Sequence, residues 1–256
     1  MYDSGHLLPW EGQPGQVSAP QLAHWRTALK APGEYTSWRG WLAGKALPLT
    51  FFTLLAVFSS MTLPREMASL ARDGIGLYPV QELLRRFLIL GFQLLIAAAY
   101  LTRTRAVAPA RGFRETVFPL LVMFAAPAGL SFLGRGEVPH RLELLGGGLL
   151  ITLLGYGVSL WALWHLRRSF AIMAEARQPV TSGPYRYVRH PLYLGEALTV
   201  LGLCLMLGIT SALLFWAAVT AMQLVRARIE EAKLARQFDD YRAYREQTRF
   251  ILPGIY

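Results

Sequence analysis

A single cysteine, Cys204, occurs in 256 residues. That excludes an internal disulfide and a thiolate cluster able to hold zinc or an iron–sulfur centre. Charge is also scarce, at 16% of residues, and acids are the scarcer sign, 16 against 26 bases. Hydrophobic residues make up 54%, more than soluble domains usually carry. A net charge of +10 would point to nucleic acid in a soluble protein. Here the bases lie between apolar runs rather than on one polar face, which suits membrane lipids and argues against nucleic acid as a partner. The first residues (MYDSGHLLPWEGQPGQ) lack the basic segment and apolar core of a cleavable secretory signal. Insertion is therefore expected to rely on the spans themselves.

Crossing a hydrocarbon core about 30 Å thick takes about 20 mostly apolar residues. Four runs qualify: Ala46 to Leu63, Leu83 to Leu101, Thr116 to Leu133 and Leu142 to Leu166. A fifth, Leu192 to Val225, is too long for one straight crossing and carries a single ionisable residue, Glu196. Gly208-Ile209-Thr210-Ser211 offers a turn in its middle, so it reads as a helical hairpin of two short spans. With six crossings, 20 of the 26 basic residues fall on one side. Basic residues concentrate in cytoplasmic loops, so both termini are expected in the cytosol. The resulting expectation is an all-α polytopic membrane protein of about six transmembrane helices, in a bacterial inner membrane, with a cytosolic C-terminal helix.

Residues 1–45 mix Trp25, Trp38 and Trp41 with Arg26, Lys30 and Arg39, and read as an interfacial segment. Residues 46–164 form a four-span region. Residues 165–256 hold the remaining unusual features. In the tail, Leu234, Phe238 and Tyr241 share the i, i+4, i+7 spacing of an apolar helix face beginning near Arg226, with Leu252-Pro253-Gly254 as its end. Gly146-Gly147-Gly148 and Gly155 suggest close helix packing, since no strand precedes them to make a phosphate loop.

The densest polar cluster is Thr181-Ser182-Gly183-Pro184-Tyr185-Arg186-Tyr187-Val188-Arg189-His190-Pro191-Leu192-Tyr193. Ser-Gly-Pro is turn chemistry, and Pro191 suits the first position of a helix because its missing N–H would be unpaired there anyway. A helix N-terminus attracts anionic groups. Glu230-Glu231 returns to the same side after the hairpin, so Arg189-His190-Pro191 and the two carboxylates should meet at the membrane surface. The alternative is a plain interfacial belt of snorkelling arginines and tyrosines. Glu196, one turn into the hairpin, is a functional candidate because a carboxylate at that depth is costly. His165, beside Trp161 and Trp164, reads as interfacial, and His6, His24 and His140 show no metal spacing.

Ser169-Phe170, Val180-Thr181-Ser182-Gly183-Pro184-Tyr185, Arg189-His190-Pro191-Leu192-Tyr193, Glu230-Glu231, Tyr241-Arg242-Ala243-Tyr244 and Arg249-Phe250 together resemble one family. It is that of the membrane-embedded methyltransferases, which include isoprenylcysteine carboxyl methyltransferase and the phospholipid N-methyltransferases. The resemblance covers about residues 165–256. It implies an S-adenosyl-L-methionine site on the cytosolic side. By motif position Arg177, Gln178, Pro179, Val180, Tyr185, His190, Pro191, Tyr193, Glu230 and Glu231 correspond to cofactor contacts. Arg226 corresponds to the substrate-carboxylate residue of the isoprenylcysteine enzymes, with Arg189 and His190 beside it as catalytic candidates. The implied acceptor is a lipophilic small molecule or lipid-modified substrate. Two other readings remain at this stage: an NADPH-dependent membrane steroid or sterol reductase of similar hairpin architecture, and a non-catalytic membrane scaffold. The residues name neither the acceptor group nor the oligomeric state.

Overall fold

The structure, a computed structural model, describes residues 41–73, 77–103, 106–133, 142–207 and 210–252. Most of the interfacial N-terminal segment and the first half of the expected hairpin turn, residues 208–209, lie outside these. A short π-helical stretch, Leu42–Ala46, leads into α1 (Leu47–Asp73). It is followed by α2 (Leu77–Thr102), α3 (Gly112–Leu133), α4 (Leu142–Leu166), α5 (Pro191–Leu207), α6 (Thr210–Gln237) and α7 (Tyr241–Gln247). No strand occurs among the described residues, only two isolated bridges.

The protein is all-α and polytopic. Four stretches, Gly44–Arg72, Gly112–Leu130, Gly146–Ser169 and Ser211–Gln237, are long and apolar enough to cross a membrane. Arg86–Thr102 and Pro191–Leu207 are shorter apolar helices. The 17 residues of α5 rise about 26 Å, close to the hydrocarbon thickness. Pro64 lies inside α1, and Pro119 and Pro127 inside α3, as membrane helices tolerate where neighbours satisfy the freed backbone.

The tightest packing is between α4 and α5, and small residues make it possible. On α4, Gly148, Thr152, Gly155 and Ser159 form one stripe, which meets Gly195, Thr199 and Gly202 of α5. A Cβ on Gly155 would lie 2.6 Å from Thr199 Oγ1 and 2.7 Å from Gly195 O, and one on Gly202 would lie 2.5 Å from Thr152 N. The Thr152 and Thr199 hydroxyls donate to the carbonyls of Gly148 and Gly195, at 2.8 and 2.9 Å, so both are satisfied within their own helices. Such close backbone approach is how helices associate where burial from water offers no drive. The expected glycine packing is thus confined to Gly148 and Gly155. Gly146 and Gly147 face open space, because neighbouring positions point about 100° apart around a helix.

The tail helix expected from Arg226 is instead the continuation of α6, which runs unbroken to Gln237. Residues 226–237 hold no glycine or proline to stop it and are rich in strong helix formers. The separate C-terminal helix is α7, and it ends at Gln247, ahead of the Leu252-Pro253-Gly254 stop. The expected apolar face is formed: Phe238 and Tyr241 are buried with Ala176, and Leu234 packs against them.

Candidate functional site

Two backbone devices shape the segment between α4 and α5. Arg167 turns the chain out of α4 with φ 37°, and Gly183 holds φ 61° in the Ser-Gly-Pro turn. Gly183 also sits under the His165 ring, where a Cβ would lie 2.6 Å from Cγ, so the turn takes glycine for both reasons. His165 thus packs on this turn, and its Nδ1 lies 3.0 Å from Trp161 O. Further along, Pro191 opens α5 and is buried.

The end of the chain closes over the same region. Val188 bridges Arg249 in parallel. Arg189 N donates to Arg249 O at 2.8 Å, and His190 N to Phe250 O at 3.2 Å. Arg189 reinforces this pairing through its side chain: Nε donates to Glu231 Oε1 at 2.5 Å, and Nη1 donates to Arg245 O at 2.8 Å and to Thr248 O. Tyr244 donates from its hydroxyl to Tyr185 O at 2.6 Å. Burial holds the Tyr185, Tyr241 and Tyr244 hydroxyls above the usual phenol range, so all three stay protonated donors near neutrality.

Between these parts lies a recess of about 780 Å³ including its open mouth. Arg177, Gln178, Pro179 and Val180 line one wall. Tyr185, Arg189, His190, Tyr193 and Glu230 line others. Four of the residues singled out from sequence do not line it: Pro191, Glu196, Glu231 and Arg226. Glu231 lies behind Arg189 and His190, with Oε1 3.4 Å from His190 Nε2 and Oε2 3.7 Å from Arg245 Nε. His190 is stacked on Tyr193 with ring centroids 5.5 Å apart and meets Phe250 edge-on at 5.1 Å.

Glu230 gathers the hairpin's polar groups. Its Oε1 accepts from Tyr193 Oη at 2.5 Å and from Arg226 Nε at 3.2 Å. Arg226, 5% exposed, also donates from Nη2 to Ile172 O at 2.7 Å and lies over the Tyr193 ring at 5.0 Å. One turn deeper, Gln223 Nε2 donates to Glu196 Oε2 at 3.0 Å. Glu196 therefore has its partner on the other arm of the hairpin.

Two residues in or beside the recess had no signal in the sequence. Glu175 lines the wall next to Arg177 and accepts from it at 2.6 Å and 3.1 Å. Arg103, at the end of α2, reaches the same carboxylate oxygen at 3.2 Å from 72 residues away. The loop after α2 is pinned here as well. Val107 N and Ala108 N donate to Ala176 O, at 2.8 and 3.3 Å, and Lys233 Nζ donates to Pro109 O and to Glu115 Oε2, each at 2.6 Å.

The chemistry of the lining suits an adenosyl sulfonium. A carboxylate at Glu230 can accept from ribose hydroxyls or an amine, aromatic rings offer faces for a purine, and cationic and anionic side chains stand beside Gln178. One relative is the cobalt-zinc-cadmium resistance protein CzcN of Cupriavidus metallidurans (strain CH34), 35% identical over 111 residues. The match covers 42% of this chain and 50% of that protein, so the chain spans about half the length of the curated relative it matches. Residues 144–241 match the model of the phospholipid methyltransferase family. Every residue lining the recess except Tyr244 lies within that stretch, so the recess falls in the part of the chain that is similar to the phospholipid methyltransferase family.

Proposed function

We propose that the protein transfers a methyl group from S-adenosyl-L-methionine to a lipophilic acceptor at the cytosolic surface of the membrane. The observation that carries this reading is that the recess and the family match coincide in the hairpin and the segment before it. Bound adenosylmethionine would supply an electrophilic methyl on a sulfonium. Such a transfer needs little acid–base help when the acceptor is a carboxylate or thiolate, so holding the partners in line and keeping water out can supply most of the acceleration. Glu230, Tyr193 and His190 would hold the nucleoside, the residues from Arg177 to Val180 would line its far end, and the 248–250 segment would cover it.

The finer reading is carboxyl O-methylation of an isoprenylcysteine-like acceptor, with Arg226 as the carboxylate partner. Its guanidinium is tied on one edge by Glu230 and Ile172, which presents the fork in a fixed orientation. Both termini would be cytosolic, and reporter fusions at Gly136 and at Tyr256 should then report opposite sides. Finding both on one side would refute that orientation.

Cofactor binding tests the central claim. Adenosylhomocysteine should raise the unfolding temperature of the purified protein, whereas NADPH should not. Protection by NADPH alone would favour a reductase instead.

A further inference from the structure

A second cleft, about 950 Å³ including its open mouth, lies beside the chain end that closes over the recess. Arg189, Arg242, Arg245, Glu246, Thr248 and Arg249 line it. Arg189 is the one residue it shares with the recess. The other five follow residue 241, beyond the stretch that matches the family. Local structure explains how they gather. Arg245 and Glu246 lie three and four residues after Arg242 and so share a face of α7 with it, while Tyr241, Tyr244 and then Thr248 turn inward. Arg249 follows on the segment that bridges Val188. Arg189 is the buried floor, held by Glu231 and by the Arg245 and Thr248 carbonyls. Arg242, Arg245 and Arg249 are the exposed rim.

Four guanidiniums around one opening are set against two carboxylates, Glu246 in the lining and Glu231 behind Arg189. Asp239 and Asp240, on the turn before α7, do not line it. Like charges held this close repel, and a concave wall of one sign concentrates the opposite charge from solution. Guanidiniums suit phosphate in particular, because each fork can take two oxygens and a tetrahedral anion has oxygens for several forks. The cleft also stands at the foot of α5. Val188, which bridges Arg249, is three residues before Pro191, where the apolar helix meets the lipid head groups. We infer that this cleft is a binding site for a phosphate group, carried by a lipid head group or by a soluble anion. A phosphate held there joins Arg245 to Arg249 across the end of α7, and so keeps the chain end in place over the recess.

The test is hydrogen exchange on the full chain in phosphatidylcholine vesicles, read at Arg189, His190 and Arg249, whose N–H groups make the pairing bonds. One arm adds inorganic phosphate, with chloride at equal ionic strength as its control because salt alone screens charge. The other uses vesicles of phosphatidylcholine and phosphatidylglycerol in equal parts. No adenosyl compound is added in either arm, so the outcome does not depend on the cofactor reading. Phosphate at about ten times its dissociation constant should slow exchange about tenfold in the parent. Slowing by phosphate in the neutral vesicles identifies a soluble anion, slowing confined to the phosphatidylglycerol vesicles identifies a head group, and either supports the site. Arg242→Gln combined with Arg249→Gln, both at exposed positions where substitution is tolerated, should abolish the slowing. No slowing with either probe, equal slowing by chloride, or slowing that survives in the double variant would overturn the inference. If the double variant does not fold, Arg242→Gln alone takes its place, and undiminished slowing there overturns it.

Discussion

Tyr193 and Glu230, on opposite arms of the hairpin and 37 residues apart in sequence, are joined by a hydrogen bond of 2.5 Å from the phenol to Oε1. The same oxygen takes the Arg226 Nε bond, so one carboxylate serves a donor from each arm and also lines the recess. Removing it does two things. It deletes a cofactor acceptor, and it leaves Arg226 without a carboxylate in a site only 5% open to solvent.

Glu230→Gln and Glu230→Ala should therefore differ. Both should weaken adenosylhomocysteine binding by about tenfold or more, as expected for a lost bond to a charged group. The alanine variant should lose the more stability, by about 1–3 kcal/mol, because it also leaves the Tyr193 and Arg226 donors with no acceptor in place of the carboxylate. Calorimetry and thermal unfolding on the same preparations measure both. Parent-like affinity in the glutamine variant would remove Glu230 from the cofactor site.

Arg226→Lys separates the acceptor from the cofactor. Lysine keeps the charge but cannot hold Glu230 and the Ile172 carbonyl and still offer a planar fork. Once an acceptor with a carboxylate is in hand, turnover should fall at least about tenfold while adenosylhomocysteine affinity stays within about twofold. Equal turnover in the lysine variant and the parent would refute the assigned role.

At the α4–α5 seam, Gly155→Ala and Gly202→Ala should each lower stability by about 1–3 kcal/mol, because the new methyl meets backbone that cannot move aside cheaply. Gly146→Ala and Gly147→Ala meet nothing within 4 Å and should be neutral or slightly stabilising. Thermal unfolding of the four variants tests the contrast. Similar melting temperatures across all four would mean that the seam is looser than described.

Arg189→Ala should release the end of the chain. It removes the side-chain bonds to the Arg245 and Thr248 carbonyls and leaves Glu231, 3% exposed, with only His190 and a more distant Arg245 among the described residues. A stability loss of about 3 kcal/mol is expected for breaking such a buried pair. Faster amide exchange should be concentrated at Arg249 and at Arg189–His190, whose N–H groups make the pairing bonds. Exchange that rises evenly along the chain would argue against a local clasp.

Much of this architecture is legible without coordinates, for a physical reason. A hydrocarbon solvent demands long apolar helices, so the six apolar stretches stand out, and Pro191 and the Ser182-Gly183-Pro184 turn mark where the hairpin begins. Glu230 could be brought near Tyr193 and His190 by reasoning alone, since a hairpin returns its second arm to where the first started. Even the apolar side of the tail, Leu234, Phe238 and Tyr241, follows from spacing.

What only the tertiary structure decided concerns direction and depth rather than element type. Spacing could not tell Gly148 from Gly146, because the rotation of α4 about its own axis is set by the helix it packs on. Nor could it distinguish Glu230, which faces the recess, from its neighbour Glu231, which is turned back onto Arg189 and His190. Arg226 reads as an available cation in sequence, yet it is buried, with one edge of its guanidinium tied to Glu230 and the Ile172 carbonyl. Arg103 and Glu175 carry no motif. They meet because the α2 end and the segment after α4 are drawn together by long-range backbone pairing at Ala108 and Ala176, and a contact made by irregular loops leaves no periodic trace in the chain that forms it.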